Sequence, residues 1–288
     1  FAFSLKIEKD VIQKVGKFAG GMMLIALVSA LNTQLDKITI SKLLSLDNLG
    51  YYTLAVSISQ GLIVIVNPLT TALLPRFTSH YSKDENTEAV SLYEKFSLLI
   101  SIIVFSIMAN IIFFAKELIW VWTGKMYIAE KTFQIVPLIA LAYAMLAMQI
   151  LPYNVAIAKG YTKLNNILGI TSLFITIPGY LIFTKLYGTI GAAGIFCLVQ
   201  MISTFIYLYF INLKYLGFVF FSELLVKQIL LPLILSLIIG FIFSNLLGLL
   251  KVNRIIDFLF ISTSTIITIF ALMLMLIPMK KLRNYLKN

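Results

Sequence analysis

The sequence predicts an all-α integral membrane protein, a polytopic bundle of about eight transmembrane helices. Three observations carry this reading. Hydrophobic residues fill 60% of the 288 positions and charged residues only 12%, with a mean hydropathy of +0.97. That is more apolar surface than a soluble domain of this size needs. The apolar residues gather in runs of about 20, the length that crosses roughly 30 Å of hydrocarbon. The polar breaks and terminal stretches that flank the runs carry most of the Lys and Arg. The net charge of +11 therefore marks membrane-flanking loops and not a nucleic-acid surface.

The runs fall in order at 18–44, 50–74, 93–115, 133–158, 164–186, 190–212, 226–246 and 255–278. The first holds Asp36 and Lys37 and stops at Ser45-Leu46-Asp47-Asn48. The second contains Gln60, Asn67 and Pro68, ends Leu74-Pro75-Arg76-Phe77, and is followed by the polar stretch Ser82-Lys83-Asp84-Glu85-Asn86. Beyond the third, Trp120-Val121-Trp122-Thr123-Gly124 reads as an interfacial aromatic belt. The fourth carries Gln149, Pro152, Tyr153 and Asn154 before the break Lys159-Gly160-Tyr161-Thr162-Lys163. Pro178 is expected to kink the fifth. Gly188, Gly191 and Gly194 open the sixth with Ala192 and Ala193, a small-residue pattern for close helix packing. No strand precedes these glycines, so they are not a nucleotide fingerprint.

Lys and Arg favour the side holding both termini by about two to one, which puts both termini in the cytoplasm. Residues 1–17 mix Lys with Phe1, Phe3, Leu5 and Ile7 and read as a cytoplasmic interfacial segment. No cleavable signal peptide is read, and the first residue is Phe1, not Met, which leaves room for a preceding portion.

Chemistry narrows quickly. Cys197 is alone, so no disulfide or thiolate metal site forms within the chain. With His80 the only histidine, neither a histidine zinc site nor a Ser-His triad is expected. The acidic cluster Asp84, Glu85 and Glu88 lies in a polar loop and reads as solvated. No cofactor and no metal is expected. Ionisable groups at membrane depth are costly and mark protein interiors or wet paths. In the first run Asn32, Asp36 and Ile40 form one i, i+4 row, and Thr33, Lys37 and Ser41 the next, flanked by Gln34. Two readings stay open: an ion pair pinning this helix to its neighbours, or the lining of a cavity. Asp36 is the one acidic residue well inside an apolar run, and so the candidate for ion coupling. Gln149, Asn154 and Asn67 beside Pro152 and Pro68 point to interrupted helices, which ordinary bent packing also explains. Arg76 reads as a cytoplasmic-side anchor, or as a phosphate partner.

The stretch from Leu35-Asp36-Lys37-Ile38-Thr39-Ile40 through Gly50-Tyr51-Tyr52-Thr53-Leu54-Ala55 resembles the start of a lobe in polysaccharide-export flippases of the Wzx type. These belong to the wider superfamily of MATE exporters and the lipid II flippase MurJ. Leu74-Pro75-Arg76, Trp122-Thr123-Gly124, Gly160-Tyr161-Thr162-Lys163 and Tyr187-Gly188-Thr189-Ile190-Gly191-Ala192-Ala193 are similar to the same family. The resemblance implies a MATE-like fold of two helical lobes around a cavity, working by alternating access. It implies that 18–214 is the second lobe, six helices, and that 215–288 adds two helices and a basic cytoplasmic tail. The first lobe would precede Phe1. Asp36 and Lys37 align with the charged position of the lobe-opening helix, and Arg76 with the Pro-Arg ending the next. The implied activity is non-enzymatic: transfer of undecaprenyl-diphosphate-linked oligosaccharide repeat units across the bacterial cytoplasmic (inner) membrane, for O-antigen, lipopolysaccharide or other surface polysaccharide. The implied partners are the lipid-linked oligosaccharide, membrane lipids, a polysaccharide polymerase and a chain-length regulator, with no nucleic acid. The expected cavity set is Asn32, Gln34, Asp36, Lys37, Asn67, Arg76, Gln149 and Asn154.

Three rivals remain. A MATE-like small-molecule exporter should favour carboxylates and aromatics over lysine. A membrane glycan polymerase or glycosyltransferase generally needs a larger extramembrane loop with catalytic acids or paired arginines. A structural membrane subunit needs no transport site at all.

Overall fold

The computed structural model describes residues 9–217, 220–247 and 254–277, and they are almost wholly helical. The first run is not one rod. It divides into α1 (Lys9–Asn32) and α2 (Leu35–Leu43). At the break the Gln34 N–H reaches back three residues, to the Leu31 carbonyl at 3.1 Å. Polar side chains compete for backbone partners there. Asn32 Nδ2 donates to the Val28 carbonyl at 3.0 Å and across to the Gly169 carbonyl at 3.2 Å, while the Thr33 hydroxyl donates to the Ala30 carbonyl.

Ser45 then caps α3 (Leu46–Ser82), which keeps Pro68 and Pro75 inside one 37-residue helix. The third run is α4 (Asn86–Phe113). The tryptophans fall on a separate short helix, α5 (Ala115–Thr123), followed by α6 (Met126–Thr132). The fourth run is α7 (Val136–Ala158). The fifth and sixth runs form α8 (Lys163–Ile211), whose only non-helical residue is Gly188, at φ 62° and ψ −144°. A straight helix of 49 residues would span on the order of 75 Å, far more than a bilayer core. The limbs instead fold back on one another. A Cβ at Gly191 would strike the Phe183 carbonyl, and one at Gly179 would sit 3.0 Å from Ile195. Among the described residues seven helices are long and apolar enough to cross a membrane, and one of them is this double limb. The eighth passage expected from the sequence is the second limb.

A π-helical connection follows at Asn212–Leu216 and Phe220–Leu230, then α9 (Leu231–Leu247) and α10 (Arg254–Leu276). The expected 1–17 interfacial segment is described only from Lys9, where it is the start of α1; residues 1–8 and the basic tail at 278–288 lie outside the described residues.

Helix α7 is central, packed on α3, α4 and α8. Its Ala140, Ala142, Ala144, Ala147 and Ala156 are fully buried, and such small side chains let neighbouring helices approach closely. Around them sit Tyr52, Phe77, Phe105 and Met108. Truncating a buried phenylalanine such as Phe105 to Ala costs about 3–5 kcal/mol. On the far side of α4 pack α9 and α10, fixed in part by Ser264 Oγ donating to Asn110 Oδ1 at 2.5 Å. The outward faces are apolar, with Phe174, Leu181, Ile182, Phe241 and Ile266 exposed. That surface suits hydrocarbon.

Candidate functional site

A cleft of about 430 Å³ lies among α1, α3, α7 and both limbs of α8, within the usual range for small-ligand sites. Four of the residues singled out from sequence line it together: Asn32, Asn67, Gln149 and Asn154. Ser29, Thr71 and Tyr153 add polar groups from α1, α3 and α7, and the remaining polar lining comes from α8. Asn165, Ser172, Thr176 and Tyr180 stand on the first limb, and Gln200, Ser203 and Tyr207 on the second. None of its lining residues is Asp, Glu, Lys, Arg or His. The lining is amide, hydroxyl, phenol and hydrocarbon.

Three of its amides cross-link the walls. Asn154, buried, donates from Nδ2 to the Thr70 carbonyl of α3 at 2.7 Å. Gln149 Nε2 donates to Thr204 Oγ1 at 2.6 Å, and that hydroxyl donates onward to the Gln200 carbonyl at 2.7 Å. Asn32 holds α1 to α8 through Gly169, and the Ser172 hydroxyl lies 3.2 Å from its Oδ1. Others are unengaged. The Asn67, Gln200 and Ser203 side chains and the Tyr153 hydroxyl make no hydrogen bond among the described residues, and can meet a ligand without losing one.

The remaining expected cavity residues stand elsewhere. Asp36 is buried, 6% exposed, and not on the cleft wall. Its Oδ2 accepts from the Tyr52 hydroxyl at 2.9 Å and its Oδ1 from the Lys37 backbone N–H at 2.7 Å. Among the described residues no Lys, Arg or His side chain lies within 4 Å of it, whereas His80 pairs with Glu85 and Lys116 with Glu130. Asp36 thus ties α2 to α3 through neutral donors. It remains electrically close to the cleft, because Tyr180, a lining residue, lies in its field. Lys37 is half-buried with no ion pair among the described residues, and Gln34 and Arg76 are exposed. The eight residues therefore divide between an uncharged cleft and charges set beside it.

Lysines gather at the end of the bundle where α3 meets α4 and α7 meets α8. Lys159 Nζ sits 3.8 Å from the Tyr81 ring centroid and donates to Asn86 Oδ1 at 3.3 Å. Lys214 Nζ lies 3.4 Å from the Tyr161 ring, which packs edge-on to Tyr215. Such contacts hold an ammonium without neutralising it. Of the polar lining at this end, Asn165 stands two residues from Lys163 on α8, and Tyr207 seven residues before Lys214 of the π-helical connection. Among the described residues no group of His, Cys, Asp and Glu could hold a metal ion.

The α8 wall was the part sequence reasoning missed. Its signal was present as spacing: Ser172, Thr176 and Tyr180 recur at four, and Gln200, Ser203 and Tyr207 at three and four. Each series is one face of a helix.

Residues 1–131 match a family model described as polysaccharide biosynthesis protein. No curated protein matches the chain, and no solved structure does. The match takes in α1 to α5, with Asn32, Asp36, Lys37, Asn67 and Arg76, and stops short of Gln149, Asn154 and the α8 wall.

Proposed function

We propose that this chain is a flippase that carries undecaprenyl-diphosphate-linked oligosaccharide across the bacterial cytoplasmic membrane for surface polysaccharide assembly, by alternating access. The observation that carries the reading is the intramembrane cleft whose polar lining is wholly uncharged. Sugar hydroxyls left unpaired in hydrocarbon cost several kcal/mol in total. Amides and hydroxyls on four helices supply the exchange partners for them. The match of residues 1–131 supports the same pathway class. The diphosphate is met by the lysine-rich end, where Lys159, Lys163 and Lys214 stand without carboxylate partners among the described residues, with Lys37 and Arg76 as further cations. The prenyl chain stays in the bilayer beside the apolar outer faces. Asp36 is the ion-coupling group, read out to the cleft through Tyr180. A cation exporter fits less well, since no carboxylate lines the cleft.

The test is made in a strain deleted for the gene and complemented with it. Asn67→Leu together with Ser203→Leu fills the cleft with hydrocarbon while removing no hydrogen bond among the described residues. The expected result is loss of surface glycan with lipid-linked repeat accumulating in the inner leaflet and normal protein level. Full surface glycan in the uncomplemented deletion strain would overturn the reading.

A further inference from the structure

Two buried polar atoms on the cleft wall complete no hydrogen bond among the described residues: the Tyr207 hydroxyl and Asn165 Nδ2. Tyr207 is 2% exposed. The two side chains lie close enough to interact, yet neither atom completes a bond. Buried polar groups are almost always paired, and one left unpaired costs the full desolvation of that group. The two stand near one another on opposite limbs of α8, so a single acceptor oxygen placed beside both can take a bond from each. Both are donors, and Asn165 Nδ2 can only donate. Around them the free Tyr153 hydroxyl, Gln200 and Ser203 offer both donors and acceptors.

We infer that the Asn165–Tyr207 end of the cleft is a recognition subsite for an uncharged, acceptor-bearing sugar, and that it discriminates against acidic sugars. The inference rests on the proposed glycan cargo and names its class. An acetamido carbonyl or a ring hydroxyl oxygen fits the two donors. A uronic carboxylate does not, because no lining residue carries a positive charge and a buried ion without a partner is strongly disfavoured. The lysines at the adjacent end serve the phosphate and do not line the cleft.

The experiment uses the full chain in lipid nanodiscs and three probes. These are a polyprenyl diphosphate bearing an N-acetylhexosamine disaccharide, the same lipid bearing a glucuronic-acid disaccharide, and the sugar-free lipid. The neutral glycolipid is expected to bind about tenfold tighter than the acidic one. Tyr207→Phe, which removes no completed hydrogen bond among the described residues, lowers that affinity about tenfold and leaves the sugar-free lipid unchanged. Asn165→Leu acts in the same direction. Equal binding of the acidic and neutral glycolipids, or unchanged binding in Tyr207→Phe, overturns the subsite while the flippase reading stands. If the sugar-free lipid binds as well as both glycolipids, the glycan reading falls and the subsite with it.

Discussion

The Tyr52 hydroxyl donates to Asp36 Oδ2 at 2.9 Å, with Tyr52 fully buried and Asp36 nearly so. This one contact gives a membrane-depth carboxylate a neutral partner and joins α2 to α3. Tyr52→Phe leaves a buried carboxylate oxygen short of its donor and should cost about 1–3 kcal/mol, seen as a lower midpoint of thermal unfolding in detergent. Asp36→Asn keeps an amide oxygen for Tyr52 and should unfold close to the parent. If Asp36 couples an ion, that same variant loses surface glycan at normal stability and protein level. Retained glycan in Asp36→Asn would remove the coupling role.

Gln149 and Thr204 form the second cross-link, from α7 to the later limb of α8 at 2.6 Å. Hydrogen bonds between membrane helices are weaker than intuition suggests, near 0.6 kcal/mol on average, because the unfolded chain also finds partners in the bilayer. A double-mutant cycle of Gln149→Leu and Thr204→Val should therefore return a coupling of about 0.5–1.5 kcal/mol. A coupling near zero would mean the wall of the cleft is held by packing alone.

How much of this was legible in sequence depends on which property each feature needs. The spans were legible because hydropathy and loop charge are local, and Tyr187-Gly188-Thr189 already marked the turn between the limbs of α8. The break after Asn32 was not, because an Asn-Thr-Gln step changes hydropathy little while its hydrogen bond to Gly169 lies 137 residues away. Asn32, Asn67, Gln149 and Asn154 drew notice as amides in apolar runs, and the cleft holds all four. Asp36 drew notice as a charge. Its packing on Tyr52 depends on how α2 leans against α3, which no spacing within one helix reveals. Ser172, Thr176, Gln200 and Ser203 passed unremarked because hydroxyls and a lone amide weigh little beside a carboxylate.

Glu117, on α5 outside the spanning helices, offers a pH test. Burial raises its carboxyl above the usual glutamate range and the negative charge of Asp257 adds to this, while a hydrogen bond from its own backbone N–H and the nearby Lys116 offset it only in part. The folded state then holds the proton more tightly than the unfolded one. The destabilisation is complete above the folded value and vanishes once pH falls below the ordinary glutamate value. Glu117→Gln should therefore raise the unfolding midpoint at pH 7 and converge with the parent near pH 4. A constant offset across that range would show that Glu117 is not the titrating group.

Gly188 and Gly191 carry the turn that makes α8 two passages instead of one. Gly188 sits at φ 62° and ψ −144°, a region essentially closed to side chains, so Gly188→Ala should cost about 1–3 kcal/mol. Gly191→Ala should cost at least as much for a different reason, because its methyl would meet the Phe183 carbonyl, which is backbone and cannot rotate away. Gly194 is the control. A Cβ there meets nothing within 4 Å, and Gly194→Ala should be neutral or slightly stabilising, since alanine favours helix by up to about 1 kcal/mol. The measurement is thermal unfolding of the three variants in one detergent, with cysteine-pair crosslinking of positions 179 and 195 as a readout of limb contact. Equal stability of all three would mean the limbs do not fold back at Gly188, and the cleft they wall would lose its geometry.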